Sequence, residues 1–437
     1  MDIKENQIIA CPMPDGGIIA KGYYNSGPML KDDTNGPTDE DSRMQIVCSV
    51  KKEDFEKYVE KIKSSGARIY LENSMVDDRC IGFEYNNKQY HAVYWAKRGE
   101  IRIIEDQSPL SLDRFAYSDT GDRKTLLYAY GLYYDPANGG GINTINCGMV
   151  YIVRLSDGSL FVVDGGYVFQ HSKEANDALF KFMYDLADKR EDGKIRISCW
   201  YFTHGHDDHT DGCTRILDRF HDKIILERVM HGFQSRSICR GFSPAYLDMK
   251  EAVSEYYPDV KTLKMHTGQK FSLSDMTVEV LYTAEDMISA DALDFWPLRD
   301  FNSTSTIVKL TINGQRFMLL GDTSSETEEF TEKYGNPELW KAEMVQVAHH
   351  CFNNLPKMYE WISAPVASVP NRFYGAHAYD NIHKLREVLK YTKENQVYYN
   401  GDATYEFEAT KNGFVKTASF PVIGKEFDMS WSHKHKV

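Results

Sequence analysis

A chain of 437 residues, 42% apolar and 13% aromatic, can bury a large core and is too apolar to be intrinsically disordered. Its net charge of −13 argues against a broad footprint for nucleic acid or an anionic membrane, though not against a local basic patch. The eight cysteines are scattered with no C-x-x-C pair, so neither metal nor disulfide is needed as a staple and reduced thiols are expected.

The N-terminus lacks a basic segment followed by an apolar run, and no stretch approaches bilayer-spanning length; the expectation is a soluble, cytoplasmic protein. Residues 1–43, rich in Gly, Pro, Asn and Asp toward their end, read as an irregular lead-in. "MQIVCSV" then predicts a strand, and "KEDFEKYVEKIKSSG" a helix whose Phe55, Val59 and Ile62 form one stripe and whose stop is Gly66. The pieces "ARIYLENS", "CIGFEYNNKQYHAVYWA" and "EIRIIED" then alternate like antiparallel strands, with a hairpin turn at Asn86-Asn87, so residues 44–106 read as a small α+β domain. Residues 107–124 read as a linker.

From 125 to 425 strands alternate with helices, the pattern of a layered α/β domain, and 426–437 read as a solvated tail. "GMVYIVRLSDGSLFVVDGG" is a hairpin ending at Asp164, "ANDALFKFMYDLADK" a helix, and "IRISCWYF" a buried strand that runs into "THGHDDHTDG". Two later strands meet at Asn313-Gly314, a strong hairpin signal. The glycine run at 137–148 lacks the G-K-[ST] ending of a phosphate loop and precedes a strand, so it reads as a flexible loop.

His204, His206, Asp208 and His209 fit H-x-H-x-D-H, four ligand-type side chains in one turn after a buried strand. Imidazole and carboxylate are the usual nitrogen and oxygen ligands of zinc, and a tight turn can aim them at two adjacent centres. Further candidates stand just past other apolar strands: Asp164 after "LFVV", Asp322 after "FMLLG", and His349 and His350 after "EMVQVA". Alone, Asp164 reads equally well as a turn aspartate.

Taken in order, "VVDGG", "THGHDDHTDG", "LLGDTSSE" and "VQVAHH" resemble the metallo-β-lactamase-fold hydrolases over about residues 125–425. The resemblance implies an αββα sandwich with a dinuclear metal site. Carried over by position, His204 and His206 would hold the first metal, Asp208, His209 and His349 the second, and Asp322 would bridge both. Asp164 would orient the histidine loop. Together with "DFNSTSTIVKL" and "VPNRFYGAHAYDNIHKLREVL", the pattern looks most like a subgroup containing the hydrolase domain of DNA-uptake channel proteins and a phosphorylcholine esterase, which places His377 near the site. One departure stands out. Many members carry a third histidine for the first metal after the strand that here reads "VEVLYT", and this chain has none there; His231 and His266 both precede that strand.

The implied chemistry is hydrolysis of a phosphodiester or ester-type bond by a hydroxide formed on two divalent cations, zinc foremost, with manganese or iron as alternatives. Asp208 or Asp322 would accept the proton, and His350 or His377 would protonate the leaving group. A diiron oxidoreductase on the same fold is the alternative, disfavoured because His206 stands where those members typically carry glutamate. A binding protein with weakened catalysis is the other. The expected partner is a small-molecule substrate, with no membrane; nucleic acid is disfavoured but not excluded, and a homo-oligomer is left open.

Overall fold

In the computed structural model, residues 7–20, 22–24, 43–106, 108, 111–117, 119–132, 148–166, 172–233, 245–288, 290 and 301–422 are described. Most of the glycine run and the tail lie outside them. Three sheets organise the chain. The first is built from the N-terminal region: Arg43–Cys48 and four longer strands between Arg68 and Asp106, with the pairs Ile18–Ile19 and Tyr23–Tyr24 added at its edge. Lys52–Ser64 is the expected helix and buries Phe55, Tyr58, Val59 and Ile62 against this sheet. At Asn86-Asn87 both residues have positive φ (50° and 62°), as a two-residue hairpin turn requires. Within the segment read as a linker, Leu112–Phe115 forms a short helix.

The other two sheets stack face to face. One runs, by neighbour, Lys261–Lys264, Arg228–His231, Ile195–Phe202, Leu160–Val163, Tyr151–Arg154, Leu126–Ala129, Ala403–Thr410 and Gly413–Pro421. The second runs Lys270–Leu273, Met276–Tyr282, Ile307–Ile312, Gln315–Leu319, Met344–Gln346, Val366–Val369 and Val397–Tyr399. Between them lie Tyr151, Phe161, Val163, Cys199 and Tyr201 from one sheet and Val278, Val280, Leu310 and Phe317 from the other. Helices Ser172–Leu186, Asp207–Phe220 and Ala245–Tyr256 cover the outer face of the first of these, burying Leu179, Met183, Ile216, Leu217 and Met249. Helices Ser325–Tyr334 and Pro356–Ile362 pack on the other. The result is an αββα sandwich. Among the described residues no helix is long and apolar enough to cross a membrane.

An irregularity in the central strand aims the chemistry. Leu160 pairs with Ile197 but Phe161 pairs with Cys199, so Ser198 is an extra residue, and its hydroxyl donates to Leu160 O (2.9 Å). Such a bulge flips the side-chain alternation. Ile195 and Ile197 face the helices, and beyond the bulge Trp200 and Phe202 do so while Cys199 and Tyr201 face the opposing sheet.

The N-terminal sheet is joined to the sandwich by buried polar groups. Arg98 donates to Asp286 O (2.6 Å) and Ile288 O (3.1 Å), and Arg102 to Glu285 O (2.7 Å) and Ile288 O. His266 lies between two carboxylates, with Nδ1 2.8 Å from Glu285 and Nε2 3.2 Å from Asp106. Burial opposes its protonation, yet Glu285 and Asp106 raise its pKa from 6.5 to about 10. The stacked His91 is instead lowered to about 4, by burial first and then by the His266 charge.

A raised imidazole pKa contributes stability in full below the unfolded value, and loses it as pH rises through the folded one. The carboxylate partner Asp106, held below its usual range by His266 against a burial penalty, adds stability that is lost in acid. His266→Gln is therefore expected to destabilise the protein most at about pH 5–6, by roughly 3–5 kcal/mol for a broken buried pair. Denaturant melts of both proteins should converge as pH rises from 6.5 toward 10; a difference independent of pH would contradict the ion-pair account.

Candidate metal centre

Asp164 ends its strand in a left-handed conformation (φ 56°), a region that costs a non-glycine residue about 1–3 kcal/mol. Fully buried, its carboxylate accepts from Thr203 N (2.8 Å), Thr203 Oγ1 (2.8 Å) and His209 Nδ1 (2.7 Å). With Nδ1 donating to Asp164, the lone pair of His209 sits on Nε2. Thr203, its hydroxyl proton on Asp164, accepts from His204 Nδ1 (3.2 Å), which by the same reasoning turns the His204 lone pair onto Nε2. That atom lies 2.9 Å from His206 Nδ1.

Asp208 and His209 stand in the first turn of helix Asp207–Phe220, for which His206 is the N-terminal cap residue. The helix approaches the Asp164 turn so closely that a Cβ on Gly212 would sit 1.8 Å from Gly165 O. In return, Gly165 N donates to His209 O (2.6 Å) and Gly212 N to Gly166 O (3.0 Å). The glycines after Asp164 and the glycine in the helix thus serve one contact, and small size at Gly212 is what permits it.

Two more strand ends complete the cluster. Asp322 N donates to Ser305 Oγ (3.0 Å), and Gln346, buried between the strands, receives Leu320 N (2.8 Å) and donates to Gly321 O (2.9 Å) and Val347 O (2.8 Å). It therefore ties the Asp322 turn to the turn carrying the two histidines. His349, His350 and Cys351 are consecutive left-handed residues (φ 47°, 50° and 70°). The strained turn is held by Tyr359, whose hydroxyl accepts from Ala348 N (3.1 Å), and by Asn371, which donates to His350 O (2.8 Å).

The convergence is tight. One ligand-type atom each from Asp208, His209, Asp322 and His350 falls within 4.8 Å of all the others. Asp322 Oδ2 is 3.2 Å from His209 Nε2 and 3.3 Å from His350 Nε2, while Asp208 Oδ2 is 3.2 Å from His350 Nε2. His350 Nδ1 donates to Pro370 O (3.0 Å), so its Nε2 lone pair faces inward. His209 Nε2, His350 Nε2 and Asp322 Oδ1 are buried without a hydrogen-bond partner among the described residues. His204 Nε2 lies 4.0 Å from Asp322 Oδ2.

Of the two adjacent histidines, His350 is buried within the cluster. His349 is 25% exposed, with its Nε2 3.8 Å from Asp322 Oδ2 and 3.4 Å from Asn302 Nδ2. His377 is not among the four clustered residues; its ring stacks on Phe373 (3.9 Å) and its Nδ1 donates to Phe373 O (2.9 Å). His231 stacks on Phe233, and His266 belongs to the interface with the N-terminal sheet.

Charges in the cluster are mutually balanced. Burial disfavours imidazolium, but Asp322, Asp208 and Asp164 raise His209 well above its ordinary value, and Asp322 and Asp208 do the same for His350. Against the same burial, His209, His350 and His349 hold Asp322 far below the usual carboxylate range, and His209 and His350 lower Asp208. His204 is lowered, by burial and then by its neighbours His209 and His206.

No protein-family profile matches the sequence, and no curated protein does. Among solved structures the chain is similar to YhfI of Bacillus subtilis, a metallo-β-lactamase-fold protein (TM-score 0.38, 13% identity, 65% of this chain and 100% of that one). It is also similar to CmlA of Streptomyces venezuelae, a diiron β-hydroxylase (0.32, 12%, 64% and 45%), and to zinc-bound PqqB of Methylobacterium extorquens (0.30, 12%, 51% and 71%). The assignment of the fold rests on the strand order and layers above: an αββα sandwich with a histidine–aspartate rim, as the sequence resemblance implied.

Thr203, Ser305, Gln346, Asn302 and Asn371 were not singled out in the sequence. Gln346 left a signal, a polar residue inside the apolar run "EMVQVA". The close helix contact gives a direct test. Gly212→Ala is expected to lower stability by about 1–3 kcal/mol, because the worst clash, 1.8 Å to Gly165 O, is with backbone that cannot rotate away. An unchanged denaturation midpoint would show that the helix does not seat against the Asp164 turn.

Proposed function

We propose that this protein is a metal-dependent hydrolase that holds two divalent cations and cleaves a phosphodiester or ester-type bond of a small molecule. The observation that carries the reading is the buried set Asp208, His209, Asp322 and His350, in which both imidazoles are fixed from behind and present their Nε2 atoms inward. Buried polar atoms otherwise find partners, so orphaned Nε2 and Oδ1 atoms at one point fit a cation. Asp208, His209 and His350 would hold the second cation, His204 and His206 the first, and Asp322 would serve both. Asp164 would position His209 through Nδ1 and Thr203.

His350 thereby takes the ligand place expected of His349. His349, partly exposed beside Asp322, takes the proton-donor role expected of His350; Asp208 and Asp322 are the bases within reach of a water in the cluster. His377, tied to Phe373, is assigned no step. When bound, two cations would polarise the scissile group and make a nucleophile available near neutral pH. Zinc suits the nitrogen-rich donor set best, with manganese or iron as alternatives.

Metal analysis of the purified protein, combined with turnover of bis(p-nitrophenyl) phosphate and p-nitrophenyl esters, tests the reading. Two equivalents of metal and chelator-sensitive hydrolysis are expected, and Asp322→Ala should lower turnover by roughly 100-fold or more. A folded protein that neither binds metal nor turns over any ester would overturn it, and oxygen reduction with an iron absorption band would replace hydrolysis by redox chemistry.

The two histidines are distinguishable in the same assay. His350→Ala should lose metal together with activity. His349→Ala should retain both equivalents yet lose about 10²-fold in kcat. Metal loss in the His349 variant alone would reverse the assignment.

A further inference from the structure

The first cation position has two histidines where the resemblance implies three, and the structure points to what stands in for the third. The turn Phe301–Thr304, entering strand Ile307–Ile312, is pinned on both sides by neighbours of the cluster. On one side Thr306 N donates to Thr203 O (2.9 Å), directly before His204. On the other, Ser305 Oγ accepts from Asp322 N (3.0 Å). Ser305 N in turn donates to Asn302 O (2.9 Å), closing the turn.

So fixed, the turn sets the Phe301 ring 4.9 Å from His206 and 6.3 Å from His204, and places the nearly buried Asn302 beside His349, with Nδ2 3.4 Å from its Nε2. The turn thus lies against the His204–His206 pair through Phe301 and against His349 through Asn302. Among the described residues, no histidine or carboxylate is brought to this turn from the segment that follows Met276–Tyr282; Glu285 and Asp286 face His266 and Thr267 instead.

We propose that Asn302 supplies the missing donor, its amide oxygen joining His204, His206 and Asp322 around the first cation. This rests on the metal-dependent reading above and adds to it an asymmetry between the two positions. An amide carbonyl is a neutral, hard ligand, whereas imidazole is a stronger donor to zinc. The first position should therefore bind zinc more weakly than the second, and accept manganese with less penalty. With its donor end at His349, the amide also links the first position to the proposed proton donor.

Titration of metal-stripped protein with cobalt, followed by calorimetry and by the visible cobalt absorption, tests this without reference to turnover. Wild type should show a tight step and a weak step. Asn302→Ala should weaken only the weak step, by about tenfold or more, and Asn302→His should tighten it and raise the absorption of the second equivalent toward that of a histidine-rich site. The tight step, carried by His209 and His350, reports in the same titration that each variant is folded. Unchanged weak steps in both variants, or one equivalent in all three proteins, would overturn the role of Asn302 while leaving metal binding in place. No uptake by wild type would overturn the metal reading itself.

Discussion

The buried carboxylate of Asp164 is the constraint on which the site depends. It accepts three hydrogen bonds at 2.7–2.8 Å, two from Thr203 and one from His209, and burial pushes its pKa upward against their pull. Those bonds set the tautomer of His209 directly and that of His204 through the Thr203 hydroxyl. The left-handed turn at Asp164 then puts Gly165 against Gly212, so the carboxylate also fixes how deeply the histidine-bearing helix sits. Remove the carboxylate and the loop, the tautomers and the helix seat lose their common reference.

Around that anchor the cluster neutralises itself. Five imidazoles and the carboxylates of Asp208 and Asp322 are packed within a few ångströms, where unpaired charge would be prohibitive. Asp208 and Asp322 raise the pKa values of His209 and His350, and those two imidazoles lower the carboxylates in return. The cluster can receive divalent charge without moving its backbone, since Pro370 O and Asp164 already hold the two rings from behind. The geometry is prepared by neighbours rather than by the ligands themselves.

Much of this was legible in the chain before any coordinates, because each site residue follows an apolar run and the runs are strands. The order Asp164, His204 to His209, Asp322, His349-His350 marks four strand ends on one rim. What could not be read was which of two adjacent histidines turns inward, for that depends on three successive left-handed residues that no spacing announces. Nor does spacing reveal a bulge: Ser198 interrupts a strand that looks uniform, and only the pairing shows the flip. The interface with the N-terminal sheet was half visible. Arg102 in "EIRIIED" is a cation in an apolar run, a sign of a buried partner, but its partners are main-chain carbonyls some 180 residues away.

That interface also fixes the segment that follows strand Met276–Tyr282. Directly after Met276–Tyr282 the chain turns at Ala284–Met287, and the carbonyls of Glu285, Asp286 and Ile288 are taken by Arg98 and Arg102. The Glu285 carboxylate goes to His266, and Asp286 to Thr267 and Thr283 N. The polar groups named here are thus committed to the N-terminal sheet or to the sandwich beneath it. A side chain placed here, where a third histidine would be expected, is held at the domain interface rather than over His204. Among the described residues the chain next meets the cluster at Phe301, whose ring lies 4.9 Å from that of His206. The segment that leaves strand Met276–Tyr282 thus serves to join the N-terminal sheet to the sandwich.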